Sequence, residues 1–200
     1  MNGSNRFERE WENILNPQLL KTNLIAASLY ITAFETLKGR IIDRLKDFFL
    51  EWDENGNLKP SNEYKTEVLD RNRNVLYASL LWHVDMEVIN LKDLESFERI
   101  KSYRNLLAHE LPSFIVRGVT SEYELNFSEM ITLLSKIETW WIANFEIPVN
   151  ADFDGVEIDT DSIIPGSVLM LNLMLKLALG SDEEALELYN SIRDTEPTSL

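Results

Sequence analysis

The chain of 200 residues contains no cysteine. Disulfides and thiolate metal sites are therefore excluded, and a reducing cytoplasm is the expected setting. It has only two histidines, His83 and His109, so imidazole chemistry has two places to be. Positive charge is scarce: 19 Lys+Arg face 34 Asp+Glu, a net of −15. That balance disfavours broad non-specific binding to nucleic acid, although a local basic pocket can still act within a screening length. The first residues, MNGSNRFEREWENIL, lack the basic-then-apolar pattern of a signal peptide. Long apolar runs are also missing. The most apolar, VLMLNLMLKLALG at 168–180, is short for a membrane span and holds Asn172 and Lys176, so no membrane association is expected.

What is present reads as helix. Asn16-Pro17 is an N-cap followed by proline at the first helical position. Behind it Leu20, Leu24, Ala27, Ile31, Phe34, Leu37, Ile41, Leu45 and Phe48 recur at spacings of three and four. This pattern predicts one long amphipathic helix. DENGNLKPS at 53–61 is a turn-rich break. A second helix is expected over 63–87, with RNRN (71–74) on its polar side. A third begins at the N-cap Asn90, carries Leu91, Leu94, Phe97, Ile100 and Leu107, and is ended by Pro112. An extended piece or hairpin is expected within 114–125, and a fourth helix over about 127–146.

After Pro148 the character changes. Residues 1–145 hold 17 Lys+Arg against 22 Asp+Glu, a net of −5, whereas residues 146–200 hold 2 against 12, a net of −10. An acidic loop comes first, then helices at about 167–179, closed by Gly180, and about 182–192, where Ser181 and Glu184 fit a capping box. The fold class is thus all-α. A helical domain spans 1–146, and 147–200 form an acidic loop and a helical extension packed on the same core.

The one stretch that concentrates chemistry is SYRNLLAHELP, residues 102–112. It carries Arg104, Asn105 and His109 on a leucine-rich helix. Arginine followed by asparagine, three residues and histidine, near the end of a helix in a four-helix pattern, resembles the mark of the HEPN family. The resemblance covers about residues 17–146. It implies a four-helix bundle and, in many members, a metal-independent ribonuclease acting in toxin–antitoxin or anti-phage systems; other members are non-catalytic binding or scaffold domains. It also implies a homodimer in which two motifs face each other across one cleft. A position two residues after the histidine holds a tyrosine in one branch of the family; here it is Leu111, so control by modification of that tyrosine is not supported.

The residue types suit RNA cleavage without a metal or other cofactor. Attack by a 2′-hydroxyl needs proton transfer, which histidine performs near neutral pH. The charged transition state needs a fixed cation shaped for phosphate oxygens, which arginine provides. Asparagine can orient either. Five residues along an α-helix turn about 140° and rise about 7.5 Å, so Arg104 and His109 do not point the same way from one straight helix. Either the helix is distorted, or the arginine reaches round, or two chains share the site. Lys101, Arg99 and Arg117, with RNRN and Lys92, are the positive charges available to line an RNA groove; a solvated face is the competing reading. The expected partners are RNA, a second copy and an antitoxin or regulatory protein, the last also being compatible with a non-catalytic module that binds nucleotide, RNA or protein.

Two metal readings are weaker. Asn150, Asp152, Asp154, Gly155 and Asp161 match the spacing of a calcium loop, but Asp161 replaces the usual bidentate glutamate, Glu157 takes an apolar place and Pro148 interrupts the entering helix. A solvated acidic linker is the favoured reading. His83 has an acidic neighbour, Asp85, but no second histidine at ligand spacing, so it reads as a packed histidine. The helix at 168–180 is apolar on most sides; it is either buried on its own domain or free to meet a partner.

Overall fold

A computed structural model describes residues 10–180 together with 183, 186, 187 and 190. The chain is mostly helical, with one small sheet. After a short helical stretch at 10–15, the long helix α1 (Pro17–Phe48) is 32 residues and so about 48 Å long. It starts as its sequence dictates: the Asn16 side chain accepts from the Gln18 and Leu19 amides, and Pro17 follows. A two-stranded antiparallel hairpin comes next, β1 (Leu50–Trp52) and β2 (Leu58–Pro60), with Trp52 opposite Leu58. It occupies the turn-rich break. Asp53 Oδ1 accepts from the Asn55 and Asn57 amides, which tightens the connecting turn.

The expected helix over 63–87 is broken. A π-turn (Tyr64–Val68) and a 3-10 turn (Leu69–Arg71) lead into extended Asn72, and only then does α2 (Val75–Asp85) begin. The reason is local: the Asn74 side chain accepts from the Leu76 and Tyr77 amides, so RNRN contains the cap of a new helix rather than the polar side of a continuous one. Helix α3 (Leu91–His109) opens with a full capping box between Asn90 and Asp93.

Pro112 does not end α3, which stops at His109. It sits in the first turn of α4 (Leu111–Arg117), where a missing amide costs nothing. The expected extended piece at 114–125 is therefore helix, with one sharp turn at Gly118, φ 76°. A Cβ there would lie 3.3 Å from Asn13 Nδ2. Asn13 and Asn23 reach over this turn and donate to the Val116 and Ile115 carbonyls at 2.8 and 3.1 Å. Helix α5 (Ser121–Trp141) starts earlier than expected, because the Thr120 side chain accepts from Tyr123 N. It runs on through a π-turn (Ile142–Glu146) and a last turn (Ile147–Val149). Helix α6 (Gly166–Leu179) closes at Gly180. The expected Ser181–Glu184 capping box and the tail 194–200 lie outside the described residues.

Ring contacts give the directions. Tyr30 meets Tyr103 and Phe34 meets Phe97, so α3 runs antiparallel to α1. Tyr30 meets Tyr123 and Phe48 meets Trp141, so α5 runs parallel to it. Arg40 of α1 pairs with Glu138 of α5 at 2.5 Å, and the Ser167 hydroxyl at the start of α6 donates to the same glutamate. Val168 and Leu171 of α6 join the same core as α1, α3 and α5. The buried residues of α1 are Asn23, Ala26, Ala27, Leu29, Tyr30, Ala33, Phe34, Leu37, Ile41 and Leu45, while Leu24 and Phe48 are exposed. In the first half of the stripe Ala27 is buried as expected, whereas Leu24 gives way to Asn23, whose side chain bonds to the Ile115 carbonyl at the α4 turn.

Candidate functional site

Helix α3 shows its inner face as Phe97, Ile100, Tyr103 and Leu107, all buried. This face fixes where the polar residues go. At 100° per residue, Arg104 stands at one edge, while Asn105 and His109, one turn apart, share the outer face. Asn105 and His109 are exposed. The helix is α-helical without a break from Leu91 to His109, so the 140° between Arg104 and His109 is not removed by distortion.

Arg104 is the best anchored of the set. Its Nη2 donates to Glu35 Oε1 of α1 at 2.6 Å, and its Nη1 donates to Asn105 Oδ1 at 3.4 Å. The guanidinium lies over the Phe34 ring, 5.5 Å from the centroid, a favourable cation–π arrangement. Its Nε is buried and has no partner among the described residues. Partial burial works to raise the Glu35 carboxyl, but hydrogen bonds from Arg104 and Lys38 outweigh it and hold the group below the usual carboxylate range. Glu35 is the residue that sequence reasoning missed. It follows Phe34 of the apolar stripe, but a partner 69 residues away in the chain leaves no local signal.

The other candidate cations do not converge on Arg104. Arg99 Nη2 contacts both carboxylate oxygens of Glu129 on α5 at 2.9 Å. Lys101 Nζ donates to the Tyr77 hydroxyl of α2 at 2.6 Å. Arg117 is on α4, 3.6 Å from Glu110. Within RNRN, Arg71 pairs with Asp85. Each of these side chains already has an internal partner.

Tyr103, next to the motif, is a packing residue. Its ring lies 5.1 Å from Tyr30 and 6.4 Å from Tyr123, and burial raises its pKa. A cavity of about 50 Å³ behind it, between Leu107, Phe114 and Arg117, has room for a water molecule or two but not for a nucleotide. The larger cavities are elsewhere. One of about 770 Å³ lies between the 87–93 turn, α5 and residues 160–163. Another of about 550 Å³ lies between α5 and the inner side of α6.

The calcium spacing at 150–161 is not assembled into a site. Asn150 and Asp159 instead cap short turns, each accepting from the amide two residues on at 3.0 Å. No group of three or more His, Asp or Glu able to hold a metal occurs among the described residues. His83 is fully buried. Its Nδ1 lies 2.8 Å from the Ser79 carbonyl, an acceptor that fixes the proton on Nδ1. Its Nε2 has no partner among the described residues, and burial pushes the pKa down to about 4.

The fold and site therefore define a mostly helical protein that displays Arg104, Asn105 and His109 at the C-terminal end of one unbroken helix. No protein-family model matches the chain, and no curated protein or solved structure is significantly similar to it.

Proposed function

We propose that the chain is a metal-independent endoribonuclease of the HEPN type, acting in the cytoplasm in a toxin–antitoxin or anti-phage system, with its site completed between two copies. The observation that supports this reading is the pairing of an anchored arginine with an exposed histidine on one straight helix. Glu35 and Phe34 hold Arg104 in place. Asn105 and His109 stand on the adjacent exposed face. One chain presents its arginine and its histidine about 140° apart. Two chains meeting along the exposed side of α3 can bring one copy's Arg104 and the other's His109 to the same phosphate.

In this reading RNA phosphate takes the place of Glu35 on part of the Arg104 fork. The guanidinium then stabilises the charge that builds on the phosphoryl oxygens as the 2′-oxygen attacks and the P–O5′ bond breaks. One His109 removes the 2′-hydroxyl proton and the other donates a proton to the departing 5′-oxygen. Asn105 orients the Arg104 guanidinium, which it already contacts.

The test uses purified chain, single-stranded RNA and EDTA. Wild type should cleave and sediment as a dimer. Arg104→Ala and His109→Ala should each lower the rate by about 10²- to 10⁴-fold. Cleavage that survives both substitutions, or a strictly monomeric active enzyme, would overturn the assignment.

A second reading has its own support. Arg99, Arg104 and Arg117 each face a carboxylate within the chain, Lys101 faces Tyr77, and the net charge is −15. Such a surface suits a non-catalytic module that binds a nucleotide, RNA or protein at the same place. Binding without cleavage, lost on Arg104→Ala, would select it.

A further inference from the structure

Helix α6 is apolar on two opposite sides. Val168 and Leu171 are buried, with Leu175 packed beside them. At 100° per residue, Met170, Leu173, Met174 and Leu177 occupy an arc of about 100° on the other side. That side is open: Met170 is 54% exposed, Met174 40% and Leu177 50%. Contiguous exposed apolar surface of this kind marks a binding face. The spacing 170, 174, 177 is the anchor spacing by which one helix meets another, and methionine adapts to the shape it meets.

In the sequence, the stretches on either side of α6 carry charge of one sign. Before it come Asp152, Asp154, Glu157, Asp159 and Asp161, with no Lys or Arg between 147 and 175. After it come Asp182, Glu183, Glu184 and Glu187. Lys176 is the one positive charge within the helix.

We propose that the outer face of α6 docks an amphipathic helix of another protein, apolar in its middle and lysine- or arginine-rich at both ends. Charge decides among the occupants. A second copy of this chain, parallel or antiparallel, would set acidic ends against acidic ends, which costs affinity. An anionic bilayer is repelled for the same reason. The stretch Thr160–Leu179 contains an 18-residue window with a mean hydropathy of 1.7, apolar enough by composition for a membrane span. Its continuous helix is only 14 residues, about 21 Å, against a hydrocarbon core of about 30 Å. A basic-ended helix satisfies both the apolar stripe and the acidic flanks.

The test uses the full chain and two synthetic amphipathic helical peptides that share one leucine face, one with lysines at both ends and one with glutamates. Fluorescence anisotropy should show the lysine-ended peptide binding at least about tenfold tighter, with the gap narrowing as salt rises. The double variant Met170→Ser/Leu177→Ser should lose that binding about tenfold while keeping the wild-type circular dichroism spectrum and the wild-type behaviour toward RNA. Equal affinity for the two peptides, no binding of either, or binding unaffected by the double variant would overturn the proposal. So would self-association abolished by the double variant, which assigns the face to a second copy. Binding to phosphatidylcholine vesicles abolished by it would assign the face to a membrane and equally overturn the proposal. None of these outcomes touches the ribonuclease assignment, which is read from Arg104 and His109.

Discussion

Two aromatic clusters lie along α1, and they treat polar atoms differently. Tyr30 and Phe48, one in each, are 18 residues apart, about 27 Å along the helix. Around Tyr30, Tyr103 and Tyr123 no hydroxyl is buried without a partner among the described residues. Tyr30 donates to the Ile100 carbonyl at 3.2 Å, and Tyr123 donates to the Ala26 carbonyl at 2.9 Å. Around Phe48, Trp82, Trp140 and Trp141 the rings stack closely, with Trp82 and Trp141 nearly parallel at 6.1 Å. There the Trp141 Nε1 and the nearby His83 Nε2 are buried without partners among the described residues. The tyrosine end ties α1 to α3 and α5 by directed bonds, and the candidate site on α3 sits next to it. The tryptophan end relies on packing area and leaves polar atoms unsatisfied, so it is the end most exposed to loss of contact and to acid.

The largest expected effect tests that reliance. Trp82→Ala should cost about 3–5 kcal/mol, read by urea unfolding, because it removes a buried ring that stacks on its neighbours. A cost under about 1 kcal/mol would show that the tryptophan end is not held by packing.

Acid should separate the ends next. The His83 pKa is lowered from 6.5 to about 4 in the fold. As pH falls, the unfolded chain takes up this proton first. The His83 contribution is therefore intact above about pH 6.5 and is lost between there and pH 4, by about 3 kcal/mol in all. Urea unfolding across that range should show the slope in wild type and a shallower one in His83→Gln. Identical slopes would mean that His83 is not buried neutral.

The smaller effect belongs to the tyrosine end. Tyr123→Phe keeps the ring and removes one hydrogen bond, leaving the Ala26 carbonyl with its other lone pair. Thermal unfolding should register about 1 kcal/mol of lost stability. The smallest is on the ionic surface of the site: Glu35→Gln should change stability by less than about 1 kcal/mol, because its pair with Arg104 is partly exposed and screened. A cost of several kcal/mol would show that the pair holds α3 against α1 rather than merely aiming the arginine.

Much of this was legible in the chain. The length of α1, the caps at Asn16 and Asn90, and the inner face of α3 follow from spacing and from side chains that bond to amides two or three residues on. The candidate site was legible as a set of residue types on α3. The break at 72–74 and the helical start at Pro112 were misjudged because both depend on where one helix yields to the next. Asn74 and Pro112 are each compatible with an ending or a beginning.

By itself, then, the sequence determined a helical chain without thiol chemistry, an Arg104-Asn105-x3-His109 run on an amphipathic helix, and an acidic C-terminal quarter. These rest on composition and on interactions within a few residues, which periodicity reports. Only the tertiary structure decided that Arg104 is held by Glu35 and Phe34, that Arg99, Lys101 and Arg117 are each engaged elsewhere, and that one side of α6 is left uncovered. Those facts depend on which helix faces come together: Arg104, Arg99 and Lys101 meet partners 69, 30 and 24 positions away in the chain, beyond the reach of local patterning.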